Sequence, residues 1–167
     1  PPAMSSAFKY KISLLIFGFC CLSPDMSLAQ KAPEFNLGSD RGHVVLSRLQ
    51  GRVIYLDFWA SWCKPCKQSF PWLNDLQARY KKVGFEVVAI NLDQESADAK
   101  DFLQKIPAQF TVAFDPSGKT AEQFHVQGMP SSYLIDRQGN IRSAHIGFRE
   151  EDRARLEQAV SKLLQEK

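Results

Sequence analysis

No stretch of like charge runs along this chain. Its 21 lysines and arginines are interspersed with 18 acids, for a net charge of +3. Nothing in that pattern asks for nucleic acid or an anionic membrane surface as a partner. Histidine is scarce, and His43, His125 and His145 are scattered, so each reads as a surface or strand residue. No internal repeat or low-complexity tract is present. The apolar run Ile12 to Leu22 has 11 residues. At ~1.5 Å rise per residue it covers about half of a ~30 Å hydrocarbon core. What is present is ordinary for a protein that buries a core: 44% hydrophobic and 23% charged residues in a chain of one-domain length.

The first 29 residues read as a leader. Met4 is taken as the true start, with Pro1-Pro2-Ala3 as a remnant before it. Lys9 and Lys11 supply a short positive region, the apolar run follows, Pro24 breaks it, and Ser27-Leu28-Ala29 places small residues for cleavage. That order is a secretory signal. A membrane anchor and a lipoprotein are the alternatives. The second is disfavoured because Cys20 follows Phe19 and Cys21 follows Cys20, whereas lipid attachment wants a small residue there. Cleavage after Ala29 leaves residues 30–167, with 19 basic and 17 acidic residues. Cysteine then falls from four to two, Cys63 and Cys66. Two thiols this close cannot staple a fold, because so small a loop constrains the unfolded chain little. Such a pair reacts or binds metal.

Residues 30–42 read as an extended lead-in, His43–Leu46 as a short strand and Leu49–Arg52 as a turn. Val53-Ile54-Tyr55-Leu56-Asp57-Phe58-Trp59 is apolar on both faces, as a central strand covered on both sides requires. Phe70, Leu73, Leu76 and Tyr80 give helical spacing from Lys64 to about Lys82, with a kink expected at Pro71. Further elements are a strand Phe85–Leu92, a helix Ser96–Ile106, a strand Gln109–Phe114, a short helix Lys119–His125, strands Ser131–Asp136 and Asn140–Ile146 joined by Arg137-Gln138-Gly139, and a helix Arg149–Glu166. The order β-α-β-α-β-α-β-β-α implies an α/β fold: a mixed sheet with helices on both faces and an antiparallel edge.

The strand ending at Trp59 leads through Ala60-Ser61-Trp62 into Cys63, and a helix follows. Unpaired N–H groups and the positive end of the helix dipole stabilise thiolate there. Lys64 adds a positive charge, and Pro65 suits the first helical turn. Cys66 lies one turn further in. Cys63 is therefore expected to be the exposed nucleophile and Cys66 the resolving thiol.

Trp62-Cys63-Lys64-Pro65-Cys66, after a strand and with Pro71 five residues beyond Cys66, resembles thioredoxin. Gly128-Met129-Pro130 and Leu134-Ile135-Asp136 make the exported TlpA-like, ResA-like or DsbE-like subgroup the better fit, over residues 33 to 165. The resemblance implies a thioredoxin fold with an N-terminal strand extension and a dithiol that needs no cofactor. It implies that Pro130 is a cis-proline facing the cysteines and that Met129 offers its backbone to substrate. It places Asp57 where thioredoxin has its buried acid, able to take the proton from Cys66. Pro71 matches a helix-kinking proline. Ser69 departs from the subgroup, which often carries glutamate there, and weakens transfer of a role in cytochrome maturation. Trp59 is expected in the core, and Trp62 beside Cys63, covering it.

Zinc needs about four ligands, which two cysteines and scattered histidines do not offer, so no metal site is expected. Cys63, Cys66 and Met129 could hold Cu(I), which makes a copper chaperone the rival reading. A peroxidase would need Pro-x-x-x-Ser/Thr-x-x before its cysteine, and Ser61-Trp62-Cys63 does not supply it. An inert thiol pair is the blandest alternative. The expectation is an exported, periplasmic protein-disulfide reductase or isomerase, monomeric, acting on disulfide-containing proteins and kept reduced by a membrane electron donor. Lys-Pro between the cysteines is closer to the reducing members of the fold.

Overall fold

The computed structural model describes residues 30–166; the leader read at 1–29 lies outside them. The strands are β1 (Gln30–Lys31), β2 (Asn36–Ser39), β3 (Gly42–Val45), β4 (Val53–Trp59), β5 (Phe85–Asn91), β6 (Thr111–Phe114), β7 (Ser131–Ile135) and β8 (Asn140–Ile146). The helices are α1 (Lys64–Tyr80), α2 (Ser96–Lys105), α3 (Lys119–Gln123) and α4 (Arg153–Gln165). One sheet has the order β1-β8-β7-β4-β5-β6-β2-β3. Strands β4, β5 and β6 are parallel, and β7 and β8 run against them. This is the mixed α/β architecture expected.

Every residue of β4 and β5 is buried, as two-sided coverage demands. The β4-α1-β5-α2-β6 run advances one way across the sheet, so its crossovers fall on one face. Phe70, Leu73 and Leu76 of α1, Phe102 of α2, and Leu156, Val160 and Leu163 of α4 pack there with Val53, Tyr55 and Trp59. The other face holds Ile54, Leu56, Phe58, Val88 and Ile90 under Ala121 and Phe124 of the α3 region and Phe35, Val44 and Leu46 of the lead-in. Helix α1 runs unbroken through Pro71.

The lead-in corrects the sequence reading. Residues 30–42 are not merely extended: β1 pairs with β8 at one edge, while β2 and β3 form a hairpin beside β6 at the other. Phe35, 5% exposed, packs into the core between the two edges. Gly42, at φ +109, lets the chain reverse after Ser39. A polar segment with two glycines carries no alternation to announce this, because an edge strand needs only one apolar residue to anchor it.

Candidate active site

Helix α1 starts at the end of β4, and Cys63 is its N-cap, with extended backbone (φ −75°, ψ 104°). The Cys63 N–H donates to Ala60 O at 3.1 Å, which closes the turn between strand and helix. Cys63 Sγ accepts from the Cys66 N–H at 3.2 Å. One of the otherwise unpaired amides of the helix start thus points at the sulfur, and such donors favour thiolate. Cys63 and Cys66 are joined as a disulfide, with Cα atoms 5.3 Å apart. Cys63 is not exposed as expected: it is 3% accessible and Cys66 is fully buried. The tight Ala60–Cys63 turn draws the first sulfur into the core cluster.

Asp57 sits on β4 between Tyr55 and Trp59, members of the same cluster as both cysteines. It is 2% exposed, and its Oδ2 has no hydrogen-bond partner from the protein. Burial pushes its carboxyl well above the ordinary carboxylate range. Tyr55 donates to Ser132 Oγ at 3.0 Å, and burial, with the nearby Asp57 charge, raises its phenol as well.

The Met129–Pro130 peptide is cis. Phe58 pairs with Ser131, so Pro130 lies at the end of β4 from which the cysteine turn emerges. Pro130 O accepts from Gly147 N–H at 2.7 Å, which ties this loop to the chain leaving β8. Met129 packs against the cysteine cluster. Trp62 is 71% exposed. It lines an open groove with Leu92, Val126, Gly128 and Met129. Trp59 is fully buried, its ring 4.8 Å from Phe70 and 4.7 Å from Phe102.

Ser69 fills the subgroup's acid position. It is buried and donates to Cys66 O at 3.2 Å. Its hydroxyl bonds back onto its own helix, and Asp57 is the buried acid of this face of β4. The histidines stay apart: His43 is exposed on β3, His125 is exposed after α3, and His145 lies on β8. Among the described residues, no three His, Cys, Asp or Glu side chains cluster as metal ligands.

Sequence reasoning missed Asp93. This residue, 7% exposed and just beyond β5, accepts from Ser61 N–H at 2.9 Å and Ser61 Oγ at 3.0 Å. Asn91 Nδ2 donates to it at 2.8 Å. It anchors the turn that presents Trp62 and Cys63. Polar Asn91 and Asp93 closing an apolar strand were the available signal, but nothing local names a partner 32 residues away.

A closable dithiol at a helix start carries two electrons without a cofactor, and known proteins agree with that chemistry. The fold is the thioredoxin fold, and the chain is a thiol–disulfide oxidoreductase of the ResA/DsbE type, with Cys63 and Cys66 as its pair. It belongs to the AhpC/TSA family, whose model matches residues 28–144. It is 32% identical over 147 residues to the thiol-disulfide oxidoreductase ResA of Bacillus cereus, covering 87% of this chain and 84% of that one. A crystal structure described as a putative thiol:disulfide interchange protein DsbE from Chlorobium tepidum superposes with a TM-score of 0.80 at 54% identity, over 81% of this chain and 96% of that one. A solution structure of a putative protein disulfide isomerase from Bacteroides thetaiotaomicron follows, with a TM-score of 0.75 at 28% identity, over 83% and 90% of the two chains.

Proposed function

We propose that residues 30–167 form an exported reductant or isomerase of protein disulfides, working in the periplasm or an equivalent compartment. The observation that carries the reading is the pair Cys63–Cys66 capping α1 on the same sheet face as Asp57, a buried acid with an unpartnered oxygen. The Cys63 thiolate attacks a substrate disulfide, forming a mixed disulfide and releasing one substrate thiolate. Asp57 takes the proton of Cys66. The Cys66 thiolate attacks the Cys63 sulfur, closes the Cys63–Cys66 bond and releases the second substrate thiolate. The substrate gains two electrons and the protein loses them. Trp62, Met129 and Pro130 form the surface on which the substrate backbone lies, beside the groove of Leu92 and Val126. A membrane electron-donor protein restores the dithiol. Export is supported by the signal pattern of the leader. Among the described residues no helix is long and apolar enough to cross a membrane.

Two measurements test this. Equilibration against glutathione is expected to give a potential well below about −120 mV, the strongly oxidising end of the fold; a value near that end overturns the reductant reading. The Cys66→Ser variant is expected to accumulate proteins as mixed disulfides on Cys63. Stoichiometric Cu(I) on the reduced protein, without disulfide turnover, would replace this reading with the copper chaperone.

A further inference from the structure

The Cys66 N–H reaches Cys63 Sγ at 3.2 Å, and that contact depends on where the Ala60–Cys63 turn sets Cys63. The turn has its own bond from Cys63 N–H to Ala60 O. The rest of its hold comes from β5. Trp59 of β4 pairs with Asn91 of β5 in parallel register, and Leu92 N–H donates to Trp59 O at 2.9 Å as the strands end. Two residues further along each chain, Ser61 lies beside Asp93. The Asp93 carboxylate accepts from the Ser61 N–H at 2.9 and 3.2 Å and from Ser61 Oγ at 3.0 Å. A side chain thus takes the place of the carbonyl that a longer strand would offer.

Asp93 is itself fixed. Asn91 Nδ2 donates to Asp93 Oδ2 at 2.8 Å, and Asp93 N–H donates to Asn91 Oδ1 at 3.1 Å. Asn91 is 1% exposed, and its carbonyl accepts from Asp115 N–H at 2.9 Å. Bonds to an ionised acceptor are stronger than neutral ones, so the chain Asn91–Asp93–Ser61 is a stiff brace on the turn. The charged groups around it come from every neighbouring element. Lys67 of α1 and Asp98, Asp101 and Lys105 of α2 line a groove with Ser61. Lys64 follows Cys63 at the start of α1, Asp57 is buried on β4, and Glu122 of α3 shares the groove beside Trp62.

We propose that Asp93, braced by Asn91, is the positioning residue for the nucleophile. It fixes Ser61 so that Cys63 Sγ stays in front of the Cys66 N–H in the dithiol as in the disulfide. This role rests on Cys63 being the nucleophile of the proposed exchange. Removing Asp93 has two effects of opposite sign on the Cys63 thiolate. Loss of a nearby negative charge favours the thiolate. Loss of the anchor lets the sulfur drift from the amide and disfavours it. The anchor decides, because the amide meets the sulfur directly, whereas the Asp93 charge is already met by three donors from Ser61 and Asn91.

The test is alkylation of the reduced protein by iodoacetamide across neutral and alkaline pH. Cys63 and Cys66 are followed separately by mass spectrometry, beside urea unfolding of each variant. Asp93→Ala is expected to move the Cys63 profile toward alkaline pH by on the order of one pH unit and to slow its alkylation at neutral pH several-fold. Asp93→Asn, which removes the charge but keeps one acceptor for Ser61, should move it the same way by less. Ser61→Ala, which keeps every charge and the main-chain bond, should also move it by less. Leu56→Ala, on the opposite face of the sheet, should lower the urea midpoint and leave the profile in place. A parental or acid-shifted profile in the folded Asp93 variants overturns the positioning role. So does an alkaline shift in Leu56→Ala, which would make the effect one of general destabilisation. If Cys66 is the faster thiol in the parent, the nucleophile assignment falls and this role with it. If Cys63 is the faster thiol and the Asp93 variants leave its profile unmoved, the positioning role alone falls.

Discussion

On β4, Ile54, Leu56 and Phe58 point to one side of the sheet, while Val53, Tyr55, Asp57 and Trp59 point to the other. The first set joins an apolar cluster in which the Tyr133 hydroxyl is satisfied by Phe124 O at 2.7 Å. The second set shares its face with the cysteines. The five buried side-chain polar atoms without a protein partner, among the described residues, belong to Asp57, Trp59, Trp72, His145 and Arg153. All five residues lie on the cysteine face. Unsatisfied buried groups cost stability, so their confinement to one side sets the two faces apart. One face is apolar and fully satisfied, and the other carries both cysteines together with these unpartnered polar groups.

Substitutions can break that division, and the largest effect belongs to the sulfur. Cys63→Ser is expected to abolish disulfide exchange while leaving the urea unfolding midpoint close to that of the reduced parent; residual turnover would move the chemistry elsewhere. Leu56→Ala, on the apolar face, should cost about 2–5 kcal/mol by urea unfolding, with the exchange rate per folded molecule unchanged. A matching fall in that rate would show that the faces are coupled. For Asp57 the sign follows from its raised folded-state pKa. The folded protein holds the proton more tightly than the unfolded chain, so stability falls as pH rises above the unfolded value of about 3.9. Asp57→Asn of the oxidised protein should therefore be more stable than the parent at pH 8 and nearly equal at pH 3; parallel stability curves would contradict this. Ile54→Val should cost about 0.5–1.5 kcal/mol. Arg142→Ala, which removes a partly exposed pair with Glu166 at 2.7 Å, should cost under about 1 kcal/mol, and less in high salt.

Strand β4 was legible at both ends, because two-sided burial writes a continuous apolar run and Ala60-Ser61 ends it. The β7–β8 hairpin was legible from Gly139. The β2–β3 hairpin was not, since an edge pair held by Phe35 and two glycines leaves no periodic mark. In the site, the cysteine pair, Met129-Pro130 and Asp57 could be named from their motifs. The depth of Cys63 and the exposure of Trp62 could not, because both follow from how tightly the Ala60–Cys63 turn closes. The hold of Asp93 on Ser61 depends on bringing distant strands and loops together, and the register is set only when the whole sheet assembles.

The central claim is that the two thiols differ, with Cys63 at the helix start as nucleophile and Cys66 beneath it as the thiol that closes the disulfide. Competitive alkylation of the reduced native protein at pH 7, with each cysteine followed by mass spectrometry, measures that difference directly. The account predicts that Cys63 is modified first and Cys66 lags far behind. Faster modification of Cys66 would reverse the roles and contradict it.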